Sequence, residues 1–142
     1  MPSFTATLHL VRNAHAGQVD KAGLPYWHHP LRVATRLGPD STLEERLIAL
    51  LHDVVEDTTM TLVKLRELDY GAGIIDAVSL LTREEGTPYL DYVRRIAASG
   101  NRTAIRVKLA DLEDNLSRTA SLPSSLAERY QKARAILRGE AQ

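Results

Sequence analysis

Apolar residues recur along most of the chain every three or four positions, the spacing that places them on one face of an α-helix. Glycine, proline and capping residues interrupt this pattern and mark where one helix ends and another begins. Eight helices are predicted, with starts near Thr5, Pro30, Thr42, Thr61, Ile74, Pro88, Asn101 and Ser125. Because no repeat, linker or low-complexity tract interrupts them, we predict an all-α fold with one domain over residues 1–142.

Capping signals locate some of these helices more sharply. Thr42 with Glu45, and Ser125 with Glu128, have the spacing of a capping box, in which each side chain bonds to the backbone of the other residue. The helix that follows Thr42 carries the apolar run LIALL into the core. Residues 18–28 contain a glycine and a proline, so we expect a loop between the first two helices.

Composition excludes several function classes. The 18 basic and 18 acidic residues cancel, so no basic surface for nucleic acid is expected. The chain has no cysteine, which excludes disulfides, thiolate metal sites and a cysteine nucleophile, and fits a reducing compartment. Neither a signal peptide nor a membrane-spanning apolar run is recognisable. We therefore expect a cytoplasmic protein with a small-molecule partner.

The segment LLHDVVEDT, residues 50–58, contains the most informative polar residues. His52 and Asp53 directly follow an apolar run, where an imidazole and a carboxylate are costly to bury unless they are paired or bound to a metal. Glu56 and Asp57 lie three to five residues further on, about one helical turn along the same side. We interpret His52 and Asp53 as metal ligands and the two later acids as groups that handle a water molecule.

A second polar face is predicted on the helix that begins near Asn101. Lys108, Asp111 and Asn115 are three and four positions apart and so share one side of that helix. Asp111 together with a histidine from the His28-His29-Pro30 segment would complete a set of two imidazoles and two carboxylates. Such a set suits Mn, Fe, Mg or Zn and leaves positions open for water.

Four motifs in order make the chain resemble a known family. They are HxGQ at residues 15–18, PYxxHPLxVA at 25–34, ALLHDVVEDT at 49–58 and KLADxxxN at 108–115. Together they resemble the HD-domain hydrolases of the RelA/SpoT type, in particular the small stand-alone alarmone hydrolases. The resemblance covers roughly residues 5–120 and implies a helical bundle of about eight helices around a metal site.

The resemblance implies a role for each matching residue. The implied metal ligands, with manganese as the usual ion, are His29, His52, Asp53 and Asp111. Glu56 and Asp57 map to the pair that generates or steers the attacking water. We expect substrate contacts from Lys21, Asn115, Lys108 and Asp20. The implied reaction releases pyrophosphate from the ribose 3′ position of guanosine tetra- or pentaphosphate, the alarmone (p)ppGpp of the stringent response.

Two departures from the family pattern bear on the substrate. Asp20 stands where the family has an arginine, and Glu113 and Asp114 make the late motif more acidic than the family's ADRLHN. Since added carboxylates repel phosphate, we expect weaker binding of a guanosine tetraphosphate, and we expect Asp20→Arg to lower its Michaelis constant. The alternatives are an HD-type phosphatase for an adenine alarmone or a nucleoside monophosphate, and a catalytically silent nucleotide-binding module.

Several other side chains are open to two interpretations. Tyr26 and Trp27 would either stack on a base or pack in the core. His15 is expected to hold the first helix to the early loop through hydrogen bonds. The arginines that would either contact phosphate or lie on a solvated face are Arg83, Arg94, Arg95, Arg102 and Arg106.

Overall fold

Nine α-helices and their connections make up the residues that the computed structural model describes, 1–118 and 122–140. In chain order these are α1 Phe4–Ala14, α2 His28–Arg36, α3 Leu43–Leu51, α4 Val54–Asp57, α5 Leu62–Glu67, α6 Ala72–Leu80, α7 Tyr89–Ala98, α8 Arg102–Leu116 and α9 Ser124–Leu137. The predicted all-α fold is confirmed.

The helix α4 is the element that the periodicity did not predict. A continuous helix through LLHDVVEDT was expected, but α3 ends at Leu51 and a single turn of helix begins again at Val54. The break has a local cause, because the imidazole Nδ1 of His52 lies 2.6 Å from the carbonyl oxygen of Ala49. That carbonyl would otherwise accept from the amide of Asp53 in a continuous helix.

Two helix starts also differ from the prediction. Helix α2 begins at His28, so Pro30 is its third residue, still within the first turn, whose N–H groups have no intrahelical acceptor. Helix α9 begins at Ser124 after Pro123, and the structure shows no side-chain cap there, so the predicted capping box at Ser125 is wrong. The box of Thr42 is confirmed, since its hydroxyl accepts from the Glu45 amide at 3.1 Å.

Helix α3 lies at the centre of the core. Its residues from Leu47 to Leu51 are all buried, and the helix packs against α1, α2, α6 and α8. Helix α8 in turn packs against α2, α3, α6, α7 and α9. The mutual packing of α2, α3 and α8 brings His29, the end of α3 and Asp111 together, so the core itself positions the polar residues of interest.

None of the described helices combines the length and the apolar composition that crossing a bilayer requires.

Candidate metal centre

His52 presents one ring nitrogen to the junction of α2, α3 and α8. Its Nδ1 donates to the carbonyl oxygen of Ala49, which leaves the lone pair on Nε2. Nε2 is buried and has no hydrogen-bond partner among the described atoms. It lies 3.1 Å from Asp53 Oδ2 and 3.4 Å from Asp111 Oδ1. A buried ring nitrogen that faces two carboxylates is costly unless a cation, either a proton or a metal ion, binds there.

His29 presents its Nε2 to the same point. Nδ1 of this ring lies 2.8 Å from Asp114 Oδ2, and Nε2 lies 2.8 Å from Asp111 Oδ1 and 3.9 Å from Asp53 Oδ2. One ring nitrogen therefore faces an outer carboxylate and the other faces the carboxylates that surround His52. In metal sites a histidine ligand is usually held in this way by a second hydrogen bond.

These side chains fit a divalent cation. Among the described residues, His29, His52 and Asp53 form a group whose ligand atoms all lie within 4.8 Å of one another. Asp111 adds a carboxylate oxygen beside both Nε2 atoms. Two imidazoles and two carboxylates suit a first-row divalent ion, and the chain has no cysteine to supply a thiolate. The choice of these four as the ligand set stays a prediction.

The carboxylates of this group stay ionised despite their burial. Burial opposes the charge on Asp111, but Lys108 and the two histidines hold its pKa well below the usual range. Burial also opposes a charge on His52, yet Asp53 and Asp111 raise the pKa of that imidazole well above its ordinary value. A metal ion and a proton compete for the same Nε2 lone pairs, so metal binding here releases protons.

Neighbouring side chains fix the orientation of both aspartates. The Tyr26 hydroxyl donates to Asp53 Oδ2 at 2.5 Å. Lys108 Nζ donates to Asp111 Oδ2 at 2.8 Å and lies 5.2 Å from the ring centroids of Tyr89 and Tyr92. Lys108 was expected to contact substrate, and the structure gives it the additional task of holding Asp111 Oδ1 toward the histidines.

We call His29, His52, Asp53 and Asp111 the metal group. Glu56 and Asp57 lie beside it, and neither belongs to the cluster of possible ligands found among the described residues. Glu56 Oε1 accepts from the backbone amide of Arg83 at 2.6 Å, which anchors this side chain at the start of the α6–α7 connection. Asp57 is exposed, yet partial desolvation by its neighbours together with the charges of Asp53 and Glu56 raises its pKa to about 6. A carboxyl group with this pKa can accept a proton near neutral pH.

Polar contacts connect the early loop, residues 15–27, to the same segment. His15 Nδ1 lies 3.0 Å from Gln18 Oε1, and Gln18 Nε2 donates to the carbonyl oxygen of Asp57 at 3.0 Å. Burial lowers the pKa of His15, so its ring is neutral at pH 7 and donates through Nδ1. The contact expected for His15 is confirmed, and it explains the HxGQ motif as a brace between α1 and α4.

Asp20 shapes the loop that carries Lys21. Its Oδ1 accepts from the amides of Ala22 and Leu24, both at 2.9 Å. These bonds to the backbone favour the ionised carboxyl group and lower its pKa. Asp20 borders the cavity described below, but one of its oxygens is turned to the loop, a use that the interpretation from sequence did not include.

A cavity of about 430 Å³ opens above the metal group. Its size is that of a site for a small organic ligand. The described wall carries both charges, with cations from Lys21, Arg32, Arg83, Lys108, Arg118 and Arg129 and carboxylates from Asp20, Asp53, Glu56, Asp57 and Asp111. Tyr89 and Tyr130 and the apolar residues Leu122 and Leu126 form another part of the wall. Asn115, expected to contact substrate, also lines the cavity.

The structure separates residues that the sequence left as alternatives. His28 packs edge-on against Trp27 with ring centroids 4.3 Å apart, and His29 faces the metal group. Trp27 lies under Arg12 in a different cavity, so the packing interpretation holds for it. Of the five arginines considered as possible phosphate contacts, Arg83 lies in the part of the cavity wall that the structure describes.

Sequence reasoning missed three cavity arginines, Arg32, Arg118 and Arg129. Arg32 occupies the variable position of the PYxxHPLxVA motif, three residues after His29, and helical spacing could have placed it near the site. Arg118 follows α8 and Arg129 lies within α9, and a periodicity pattern carries no signal for their approach to the cavity.

The expected repulsion of phosphate by Glu113 and Asp114 is wrong. Glu113 Oε1 accepts from Arg138 Nη2 at 3.0 Å and borders a different surface pocket. Asp114 is completely buried and forms ion pairs with Arg32 and Arg36 of α2. Neither side chain is part of the wall of the cavity.

Comparisons with known proteins agree with the motifs. The chain is 34% identical over 133 residues to a guanosine-3′,5′-bis(diphosphate) 3′-pyrophosphohydrolase of Haemophilus influenzae. This alignment covers 87% of this chain and 20% of that protein. It is 34% identical over 100 residues to the pyrophosphohydrolase MESH1 of Mus musculus, covering 68% of this chain and 55% of MESH1. The chain thus spans about half or less of these relatives. No protein-family model matches it.

A solved structure extends the comparison to the fold. It is that of a metazoan SpoT orthologue described as hydrolysing ppGpp and acting in starvation responses. The two structures superpose with a TM-score of 0.82 at 26% sequence identity, over 99% of this chain and 89% of the other. The arrangement of helices around the metal group is therefore shared with that protein.

Adjacent histidines offer a matched test of the metal group. We expect His29→Ala to lose a stoichiometric divalent ion, because its Nε2 faces Asp111 and Asp53. His28→Ala should keep the ion, because His28 packs on Trp27. The check is the metal content of both purified variants after loading with Mn and desalting. Full occupancy in His29→Ala would remove this histidine from the ligand set.

Proposed function

The chain carries an HD domain of the RelA/SpoT type, and on that premise we propose that it is a metal-dependent nucleotide pyrophosphohydrolase. The proposed substrate is guanosine tetra- or pentaphosphate or a related alarmone, from which the 3′-pyrophosphate is removed. Manganese as the ion and the cytoplasm as the location belong to the same proposal. The family resemblance and the oxygen and nitrogen donors of the site support manganese. The absence of cysteine fits the reducing conditions of the cytoplasm.

One observation supports the proposal most strongly. The Nε2 atoms of His29 and His52 converge with two ionised aspartates at a cavity whose walls carry several cations. The aspartates supply hard ligands for a divalent ion, and the cations complement an anionic substrate. A divalent ion bound there would lower the pKa of a coordinated water and offset charge on a phosphoryl group.

Glu56 and Asp57 are proposed to handle the attacking water. Asp57, with its pKa of about 6, takes the proton as the water oxygen forms its bond to phosphorus. The bond from that phosphorus to the ribose 3′-oxygen breaks, this oxygen takes up a proton from solvent water, and Asp57 returns its own proton to the solvent. Glu56, held by the Arg83 amide, orients the water from the other side. This arrangement favours turnover over a silent binding module, which needs no such pair.

The cavity wall supports a polyanionic substrate. Lys21 lies on the early loop, Arg83 follows α6 and Arg129 lies on α9, so cationic groups approach from several directions. The guanidinium groups of Arg83 and Arg129 lie 5.6 and 4.5 Å from the ring centroid of Tyr89, so cations and aromatic rings line the same part of the cavity. The cations would pair with phosphate oxygens, and the tyrosine rings offer a surface on which a base would stack.

A substrate panel tests the proposed reaction. With Mn present, we expect intact pyrophosphate to be released from guanosine tetraphosphate and nucleoside monophosphates to stay unchanged. Removal of the ion by a chelator should abolish the release. Products are separated by ion-exchange chromatography. Orthophosphate release from monophosphates alone would favour the phosphatase alternative, and tight binding without turnover would favour the silent module.

The water-handling pair makes a separate prediction. We expect Asp57→Asn and Glu56→Gln to lower kcat by roughly a hundredfold or more, the usual scale for a lost general base. Both variants should retain the metal. In the wild type the rate should fall as the pH drops through about 6, or somewhat lower with a cation bound, because protonated Asp57 cannot accept a proton.

Asp76→Asn is the matched control for this pair, because Asp76 is exposed on α6. Its kcat should equal that of the wild type. Loss of the ion from either Asp57→Asn or Glu56→Gln would assign the changed residue to the metal instead.

Two variants of Asp20 distinguish its repulsion of phosphate from its support of the early loop. Asp20→Asn removes the charge but keeps an oxygen that can accept from the Ala22 and Leu24 amides, whereas Asp20→Ala loses both bonds. The loop bonds change the expectation drawn from the sequence, that loss of this charge lowers the Michaelis constant for guanosine tetraphosphate. We now expect that constant to rise several-fold in Asp20→Ala and to stay near the wild-type value in Asp20→Asn. If both variants lowered it, repulsion of phosphate would be the main effect of Asp20.

A further inference from the structure

Asp114 is a completely buried carboxylate close to the metal group but outside it. The residue has no exposed surface, and its side chain contacts groups from two turns of α2. Oδ2 lies 2.8 Å from His29 Nδ1. Oδ1 accepts from Arg32 Nε at 3.0 Å and from Arg36 Nε at 3.1 Å. A buried carboxylate with three partners of this kind is ionised and rigidly placed.

The contacts of Asp114 determine which nitrogen His29 can offer to a metal. Because a carboxylate can only accept, Nδ1 of His29 carries a proton in this contact. Nε2 likewise donates to Asp111 Oδ1 at 2.8 Å, and it is this second proton that a metal would displace, while Nδ1 stays bonded to Asp114. Without Asp114, the ring would be free to rotate or to place its proton on the other nitrogen.

We propose that Asp114 is a positioning residue that holds His29 in the orientation and tautomer needed to bind the metal, while Arg32 and Arg36 keep the Asp114 carboxylate in place. The inference rests on the proposed metal site. It gives a purpose to a position at which this chain departs from the ADRLHN motif of the family it resembles. The hydrogen bond from Nδ1 also makes Nε2 a more basic ligand.

The arginines explain how an ionised aspartate is tolerated at this depth. Their side chains are 29% and 37% exposed, so each guanidinium reaches water while its Nε faces the buried carboxylate. Burial opposes the charge, but His29 and Arg32 hold the pKa of Asp114 well below its usual value. Ser117 adds a further support, since its hydroxyl accepts from Arg36 Nη2 at 3.1 Å.

The same carboxylate links the metal group to the cavity. Arg32 borders the cavity while its Nε contacts both oxygens of Asp114, at 3.0 and 3.1 Å. One buried group on α8 therefore sets the positions of a proposed ligand and of a wall cation, both on α2. A change at Asp114 should be felt first in metal affinity, because His29 is its closest partner.

The test measures Mn affinity directly. Metal-free protein is titrated with Mn by isothermal calorimetry for the wild type, Asp114→Ala, Asp114→Asn and Glu113→Ala. We expect the dissociation constant to rise about 10- to 100-fold in Asp114→Ala, the usual effect of losing such a partner. Asp114→Asn should show a smaller rise, because its amide oxygen still accepts from Nδ1. Glu113→Ala should match the wild type, since Glu113 pairs with Arg138.

A second readout separates positioning from a purely structural role. If Asp114 acts through the metal, excess Mn should restore most of the kcat of the Asp114 variants. A structural role alone would lower the unfolding temperature and leave the dissociation constant of the folded protein unchanged, which would overturn the inference. Should Asp114→Ala fail to fold, the nearly isosteric Asp114→Asn decides by the same criterion.

The outcomes distinguish this inference from the proposed function. Wild-type protein that binds no Mn contradicts the metal site itself. Wild-type protein that binds Mn and releases pyrophosphate, while both Asp114 variants bind Mn equally well, contradicts the role of Asp114 alone.

Discussion

The burial of charged and titratable groups where α2, α3 and α8 meet is the constraint on which the rest of the structure depends. His29, His52 and Asp111 are almost entirely shielded from water, and unpaired charges at such depth would be strongly destabilising. The chain compensates with a second ring of partners, including Tyr26 and Lys108. The lone pair of His52 Nε2 remains, and a divalent cation is the ligand that it suits.

Much of the fold could be predicted from the sequence, because amphipathic helices with capping residues leave a local signal. The break between α3 and α4 could not, because it depends on the His52 ring bonding to the Ala49 carbonyl. The start of α9 was misplaced for a related reason. Ser125 and Glu128 have capping-box spacing, but Pro123 begins the helix earlier. Spacing alone does not distinguish a used cap from an unused one.

The candidate site shows the same limit. Ordered motifs pointed to His29, His52, Asp53 and Asp111, which the fold brings together. The acidic departures from the family pattern were misjudged, because a sequence gives the charge of a residue but not the direction of its side chain. Asp114 is turned into α2 and is neutralised there. A carboxylate added near an anion-binding cavity therefore need not repel the anion.

Anomalous diffraction from crystals of the Mn-loaded protein would test the central claim most directly, because it locates the ion without reference to activity. The account predicts a single strong peak within bonding distance of the Nε2 atoms of His29 and His52 and of carboxylate oxygens of Asp53 and Asp111. His29 Nδ1 should remain bonded to Asp114. A peak outside this group, or an ion bound through Glu56 and Asp57 with the histidines turned away, would contradict the account.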